Sequence, residues 1–177
     1  METLSHLPSN YWPASGAKHF TIADADLFRR VEDVSSSWNG LFGTEYANLL
    51  TECWPVLMRE WEQLADSNLG NGALQAAHFD LHPHNLLLSN NIVKAVLDFE
   101  SCKLMHPGYA LGFAALKQCR QAVALLELKE NAASVGARYT ARLADFCPHT
   151  AHIVSRIGDY AVSEVLRRIC LILRLNV

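Results

Sequence analysis

The sequence predicts an α+β chain that is mainly helical and organised around one small β-hairpin. Three observations lead there. Apolar residues recur at helical intervals over long stretches on both sides of residues 78–112. Two short apolar runs, Leu86-Leu87-Leu88 and Ile92 to Leu97, flank the polar turn Ser89-Asn90-Asn91. The chain has 177 residues, half of them apolar and 19% charged, enough to bury a substantial core in one domain-sized body.

Met1 to Lys18 carries Pro8, Pro13 and Gly16, and residues 1–18 read as an irregular lead-in or connector to a folded remainder over 19–177. Ile22, Leu27, Phe28, Val31 and Val34 predict a helix over 22–34. Between Thr44 and Leu64, the residues Tyr46, Leu49, Leu50, Cys53, Leu57, Trp61 and Leu64 share one helical stripe, and Pro55 is expected to kink or divide it. Trp54 and Trp61 lie in that segment and are expected in a core; Trp12 and Trp38 are open to a cation–π role as well. Asp66 to Gly72 reads as a polar turn. Helices are expected again over about 109–129, 133–146 and 150–174, the last ending in an apolar face that can dock on the core. No internal repeat is visible.

The chemistry concentrates between these helices, in His78-Phe79-Asp80-Leu81-His82-Pro83-His84-Asn85 and, thirteen residues after Asn85, in Asp98-Phe99-Glu100. Phosphoryl transfer needs a carboxylate to orient an acceptor hydroxyl and take its proton, and further oxygen ligands to hold Mg²⁺ against nucleotide phosphates. Asp80, Asn85 and Asp98 supply that set in order. A hairpin over 86–97 would return Asn85 and Asp98 to the same end. Taken singly, each of the three is also an ordinary turn or strand-end residue. Glu100 reads as a solvated carboxylate or a second contact, and His106 and Tyr109 as packing residues.

The strings HFDLHPHNLLL and VLDFE resemble the catalytic core of the aminoglycoside phosphotransferase and choline kinase family, small-molecule kinases with a protein-kinase-like fold. The resemblance covers His78 to Gly112 closely and the rest only generally. It implies Asp80 as catalytic base, Asn85 and Asp98 as the residues that hold Mg²⁺ and, through it, ATP, and His78 as a structural brace of the loop. It also implies transfer of the γ-phosphoryl group of ATP to a hydroxyl of a small molecule. The chain departs from the family pattern at Phe79 and His84, where glycines are usual, and at His106 and Ala110, where aspartates are usual; the second aspartate normally bonds the catalytic loop.

Kinases of this type close the nucleotide under an amino-terminal lobe with a glycine-rich loop and a lysine. Of the 79 residues before Asp80, only Lys18 is a lysine, and Gly40-Leu41-Phe42-Gly43 and Gly70-Asn71-Gly72 do not have the setting of a phosphate loop. The expectation is therefore a carboxy-terminal lobe with its catalytic core at 78–112. Such a lobe would expose apolar surface and either self-associate or receive the missing lobe from a second chain.

The remaining composition narrows the setting. A net charge of −3 argues against a nucleic-acid partner, and the absence of a long apolar run argues against a membrane one. Met1 to Asn10 lacks a signal-peptide pattern, and Cys53, Cys102, Cys119, Cys147 and Cys170 are odd in number and scattered, which together suggest reduced thiols and a cytoplasmic location. Two other readings stand beside the kinase. One is a non-catalytic binding module or remnant. The other is a zinc-dependent hydrolase, if His78, Asp80, His82 and His84 alternate on an extended strand and face one way.

Overall fold

A computed structural model describes residues 39–40, 43–65, 67, 69–125, 132–146 and 150–176. The expected lead-in at 1–18 and helix at 22–34 lie outside the described residues. The chain divides into two compact units, one containing Gly70 to Ala161, the other the described residues before Gly70 together with those from Val162.

In the second of these units, helix α1 spans Thr44–Ala65 without interruption, with Pro55 inside it. The expected division at proline does not occur. Pro55 has no N–H to return to the Thr51 carbonyl, a defect that costs about 3 kcal/mol in a helix interior. It is offset by the buried stripe: Ala47, Trp54 and Trp61 form one cluster with Leu166, flanked by Leu50, Leu57, Met58, Leu64, Val162 and Ile169. Trp54 and Trp61 are thus core residues, as their spacing predicts. The Glu164 side chain is fully buried and is met by two arginines. Arg167 grips it through Nε and Nη2 at 2.7 Å each, and Arg168 Nε adds a contact at 2.8 Å.

The other unit holds two separate two-stranded antiparallel sheets. Strand β1 (Gln75–His78) pairs with β4 (Cys102–Met105), and β2 (Leu86–Ser89) with β3 (Ile92–Val96). The β2–β3 hairpin meets the sequence expectation. Asn90 and Asn91 take φ of 53° and 59°, the left-handed pair that a tight hairpin turn requires and that asparagine tolerates. Lys94 is the extra residue of a bulge between the Leu87–Ala95 and Leu88–Val93 pairs.

The β1–β4 sheet departs from the single hairpin expected. Its strands, QAAH and CKLM, have four residues each, too few to display a period of two. They exist because the intervening segment returns Cys102 opposite His78 and Met105 opposite Gln75.

Helix α2 (Pro107–Leu125) packs on β1 and on α3 (Ala132–Phe146). Phe113 of α2 is completely buried and lies beside Phe79, with ring centroids 5.5 Å apart. The helix expected over 150–174 is instead two, α4 (Ala151–Val154) and α5 (Ile157–Asn176). Ser155 and Arg156 close α4 by bonding back to Ala151 O and Ile153 O. The Tyr160 ring takes the space a Cβ on Gly108 would need, so this position admits no side chain. His106, Tyr109 and Tyr160 form a buried aromatic cluster, His106 stacked on Tyr160 with an interplanar angle of 16°.

Candidate active site

Strand β1 ends at His78, and the chain turns at Phe79 and Asp80 before a single 3-10 turn over Pro83–Asn85. Phe79 is buried against Phe113, so the residue between His78 and Asp80 anchors the loop in the core. Asp80 is left partly exposed. Neither Phe79 nor His84 is among the described residues with positive φ. The loop therefore uses ordinary backbone at both positions where the family usually has glycine.

Four hydrogen bonds define the arrangement around Asp80. The Asn85 side-chain amide donates to the Asp80 carbonyl at 2.9 Å. The Asn85 carbonyl accepts from the Leu97 N–H at 2.8 Å, which continues the hairpin ladder by one pair and sets Asp98 next along. His78 Nε2 lies 2.7 Å from the Leu97 carbonyl oxygen, and the Phe79 N–H donates to Ser101 O at 3.1 Å. Asp80, Asn85 and Asp98 are thereby held within one connected network at one end of the β2–β3 hairpin.

Asp98 adopts φ 61° and ψ 49°. This left-handed conformation is uncommon outside glycine, although aspartate is enriched there, and such conformations cluster at functional sites. Ser101 steadies it twice, by Oγ donating to Asp98 Oδ2 at 3.1 Å and by its N–H donating to Asp98 O at 3.1 Å. Glu100 is exposed, in keeping with a solvated carboxylate.

The donor set fits a hard divalent cation. Because the Asn85 amide nitrogen is committed to Asp80 O, its oxygen is the atom that remains for a ligand, and Asp98 adds a carboxylate. One or two protein oxygens, completed by phosphates and water, are what Mg²⁺ usually takes in nucleotide sites. The zinc arrangement fails on its premise, because the strand stops at His78 and residues 80–84 are not extended strand. Among the described residues, no three His, Cys, Asp or Glu side chains are placed to hold a metal together.

Three contributors escaped the sequence reading of the site. Ser101 stands three residues after Asp98, a spacing that could have suggested the side-chain bond. His82 enters the sequence reading only as a zinc ligand, yet its Nε2 lies 3.5 Å from Asp80 Oδ2 and its Nδ1 accepts from the His84 N–H at 3.2 Å. Gln121 of α2 places Nε2 3.3 Å from His84 Nε2. With Phe113, it ties α2 to the catalytic string without an aspartate at Ala110. Nothing in the sequence links Gln121 to a residue 37 positions earlier.

Of the residues the sequence leaves to packing, His106 and Tyr109 are buried. Burial pushes the His106 imidazole below its ordinary value, and nearby His152 adds to the effect. Burial likewise pushes the Tyr109 phenol up to about 12, so it remains neutral through the physiological range.

The model of the phosphotransferase enzyme family matches residues 4–146, and the chain belongs to that family. No curated protein and no solved structure gives a significant match. Among the described residues, no helix is long and apolar enough to cross a membrane.

Proposed function

We propose that this chain is the catalytic lobe of a small-molecule kinase, which transfers the γ-phosphoryl group of ATP to a substrate hydroxyl. One observation supports the reading: the hairpin register and the Asn85 bond to Asp80 gather Asp80, Asn85 and Asp98 at one hairpin end, the side-chain types that a base and two oxygen ligands require. Membership of a phosphotransferase family supports the reaction class.

In this reading Asp80, on the solvent side of an anchored loop, orients the acceptor hydroxyl and takes its proton. Asn85 and Asp98 hold Mg²⁺, which when bound neutralises charge on the nucleotide phosphates. His78 braces the loop against Leu97, and Ser101 fixes the Asp98 carboxylate. Catalysis then comes from positioning and electrostatic stabilisation, with no covalent enzyme intermediate. The acceptor is a small hydroxyl compound, and the compartment is the cytoplasm.

The phosphate-covering loop and its lysine come from a further lobe, on the sequence argument that Lys18 is the only lysine before Asp80. Leu87, Leu88, Ile92 and Val93 of the hairpin are at least half exposed, which supports an apolar contact with a second copy of this chain. A sharp monomer at high concentration in light scattering would rule that contact out.

The test of the reaction is calorimetric titration with Mg²⁺ and ATP, followed by phosphotransfer assays on hydroxyl acceptors. Asp98→Ala should abolish saturable metal-nucleotide binding. Asp80→Asn should keep binding and lose turnover. Equal behaviour of the two variants would sink the assignment.

A further inference from the structure

His82 joins two elements of the site in a way that fixes its chemistry. Its Nδ1 accepts the His84 N–H at 3.2 Å, closing the start of the 3-10 turn. A neutral imidazole that accepts at Nδ1 carries its proton on Nε2. That Nε2 lies 3.5 Å from Oδ2 of the Asp80 carboxylate, within ion-pair distance and beyond a formed hydrogen bond. The separation is long for a hydrogen bond, as catalytic contacts often are before substrate tightens them. His84 is itself held from the far side by Gln121 of α2, and its ring meets that of His82 edge-on at 5.2 Å. The backbone offers a second tie, His82 N–H to Asp80 O at 3.0 Å.

We propose that His82 is a positioning residue for Asp80, an Nε2–H donor that selects the carboxylate orientation in which the other oxygen meets the acceptor hydroxyl. The inference rests on Asp80 being the base. Its content is separate from that role: one imidazole edge builds the loop and the other aims the carboxylate.

Two substitutions divide the edges. Asparagine can accept the His84 N–H as a short Asx-type cap but cannot reach Asp80. Glutamine is long enough to place an amide N–H near the Nε2 position and gives up the cap. If His82 positions Asp80, His82→Asn lowers kcat about ten- to a hundredfold, in line with a misplacement of about 1 Å, with little change in nucleotide KM. His82→Gln then retains most of the rate. The reverse order, with Asn near wild type and Gln impaired, would assign His82 to the loop alone and overturn the proposal.

Histidine ring ¹⁵N spectra of the full chain give a readout independent of turnover. The His82 signal is expected as the Nε2–H tautomer, displaced by Asp80→Asn. A wild-type chain that neither binds Mg²⁺ with ATP nor, once the further lobe is supplied, transfers a phosphoryl group would count against the kinase reading. An unmoved His82 signal would count against the Asp80 contact whatever the activity.

Discussion

His78 Nε2 and the Leu97 carbonyl oxygen stand 2.7 Å apart, so the residue two before Asp80 is pinned to the residue one before Asp98. That bond is one of the four that set the spacing between Asp80 and Asp98. Replacing His78 with alanine leaves the carbonyl without this partner, and one lost hydrogen bond costs about 1 kcal/mol of stability. The loss in rate is expected to be larger, on the order of 10²-fold for a shift near 1 Å. Thermal unfolding and kcat measured on the same variant check the disproportion; equal losses would make His78 merely structural.

Ser101→Ala removes the Oγ bond that steadies Asp98 in its left-handed conformation. Its N–H bond to Asp98 O survives, so the fold is expected to persist. The affinity for Mg²⁺ with ATP should fall several-fold while Asp80-dependent chemistry at saturation is retained. Calorimetry would show it, and unchanged affinity would remove Ser101 from the site.

Glu164→Ala removes the buried carboxylate that Arg167 and Arg168 meet, while both arginine side chains keep access to solvent. Because the remaining charges are partly solvated, the expected loss is that of the charge-assisted hydrogen bonds, about 1.5–3 kcal/mol. A urea midpoint that does not move would show that the arginines find water or another acceptor at no cost.

Gly108→Ala drives a methyl group into the Tyr160 ring, which also stacks on buried His106. Overpacking of this kind costs about 1–3 kcal/mol. The paired variant Gly108→Ala with Tyr160→Leu should recover part of the loss, read as the coupling in a double-mutant cycle.

Burial disfavours the charged form of His106, so its folded pKa lies below the unfolded value of 6.5. The unfolded chain therefore binds the proton first. The contribution of neutral His106 to stability is complete above pH 6.5 and is lost progressively as pH falls below 6.5 toward the folded pKa. The groups around the ring are His152, Tyr109 and Tyr160, with Arg156 and Asp159 acting on the tyrosines. His106→Gln should flatten the pH dependence of unfolding in that window, measured by denaturant midpoints across it. An unaltered slope would assign the acid sensitivity elsewhere.

The hairpin was legible because its signals are local: two apolar runs, and two asparagines able to take the turn's positive φ. From it followed the return of Asn85 and Asp98 to one end. Helices α1, α2 and α3 were legible for the same reason, since a stripe of apolar residues over fifteen or more positions is unambiguous. The β1–β4 sheet was hidden because four-residue strands have no readable period and their pairing depends on where the catalytic string returns. Pro55 misleads in isolation, since its local penalty is visible in sequence whereas the packing of Trp54 and Trp61 that outweighs it is not.

By itself, the sequence determined the family to which the chain belongs and the candidate set Asp80, Asn85 and Asp98, because these are identities at fixed spacings and the hairpin between them is a local structure. Tertiary structure alone decided which distant residues touch them and their neighbours. Gln121 reaches His84 across 37 positions, His78 finds Leu97 across 19, and Phe79 finds Phe113 through core packing. Such contacts arise when the folded chain repays the entropy of bringing distant residues together, a balance that no local pattern encodes.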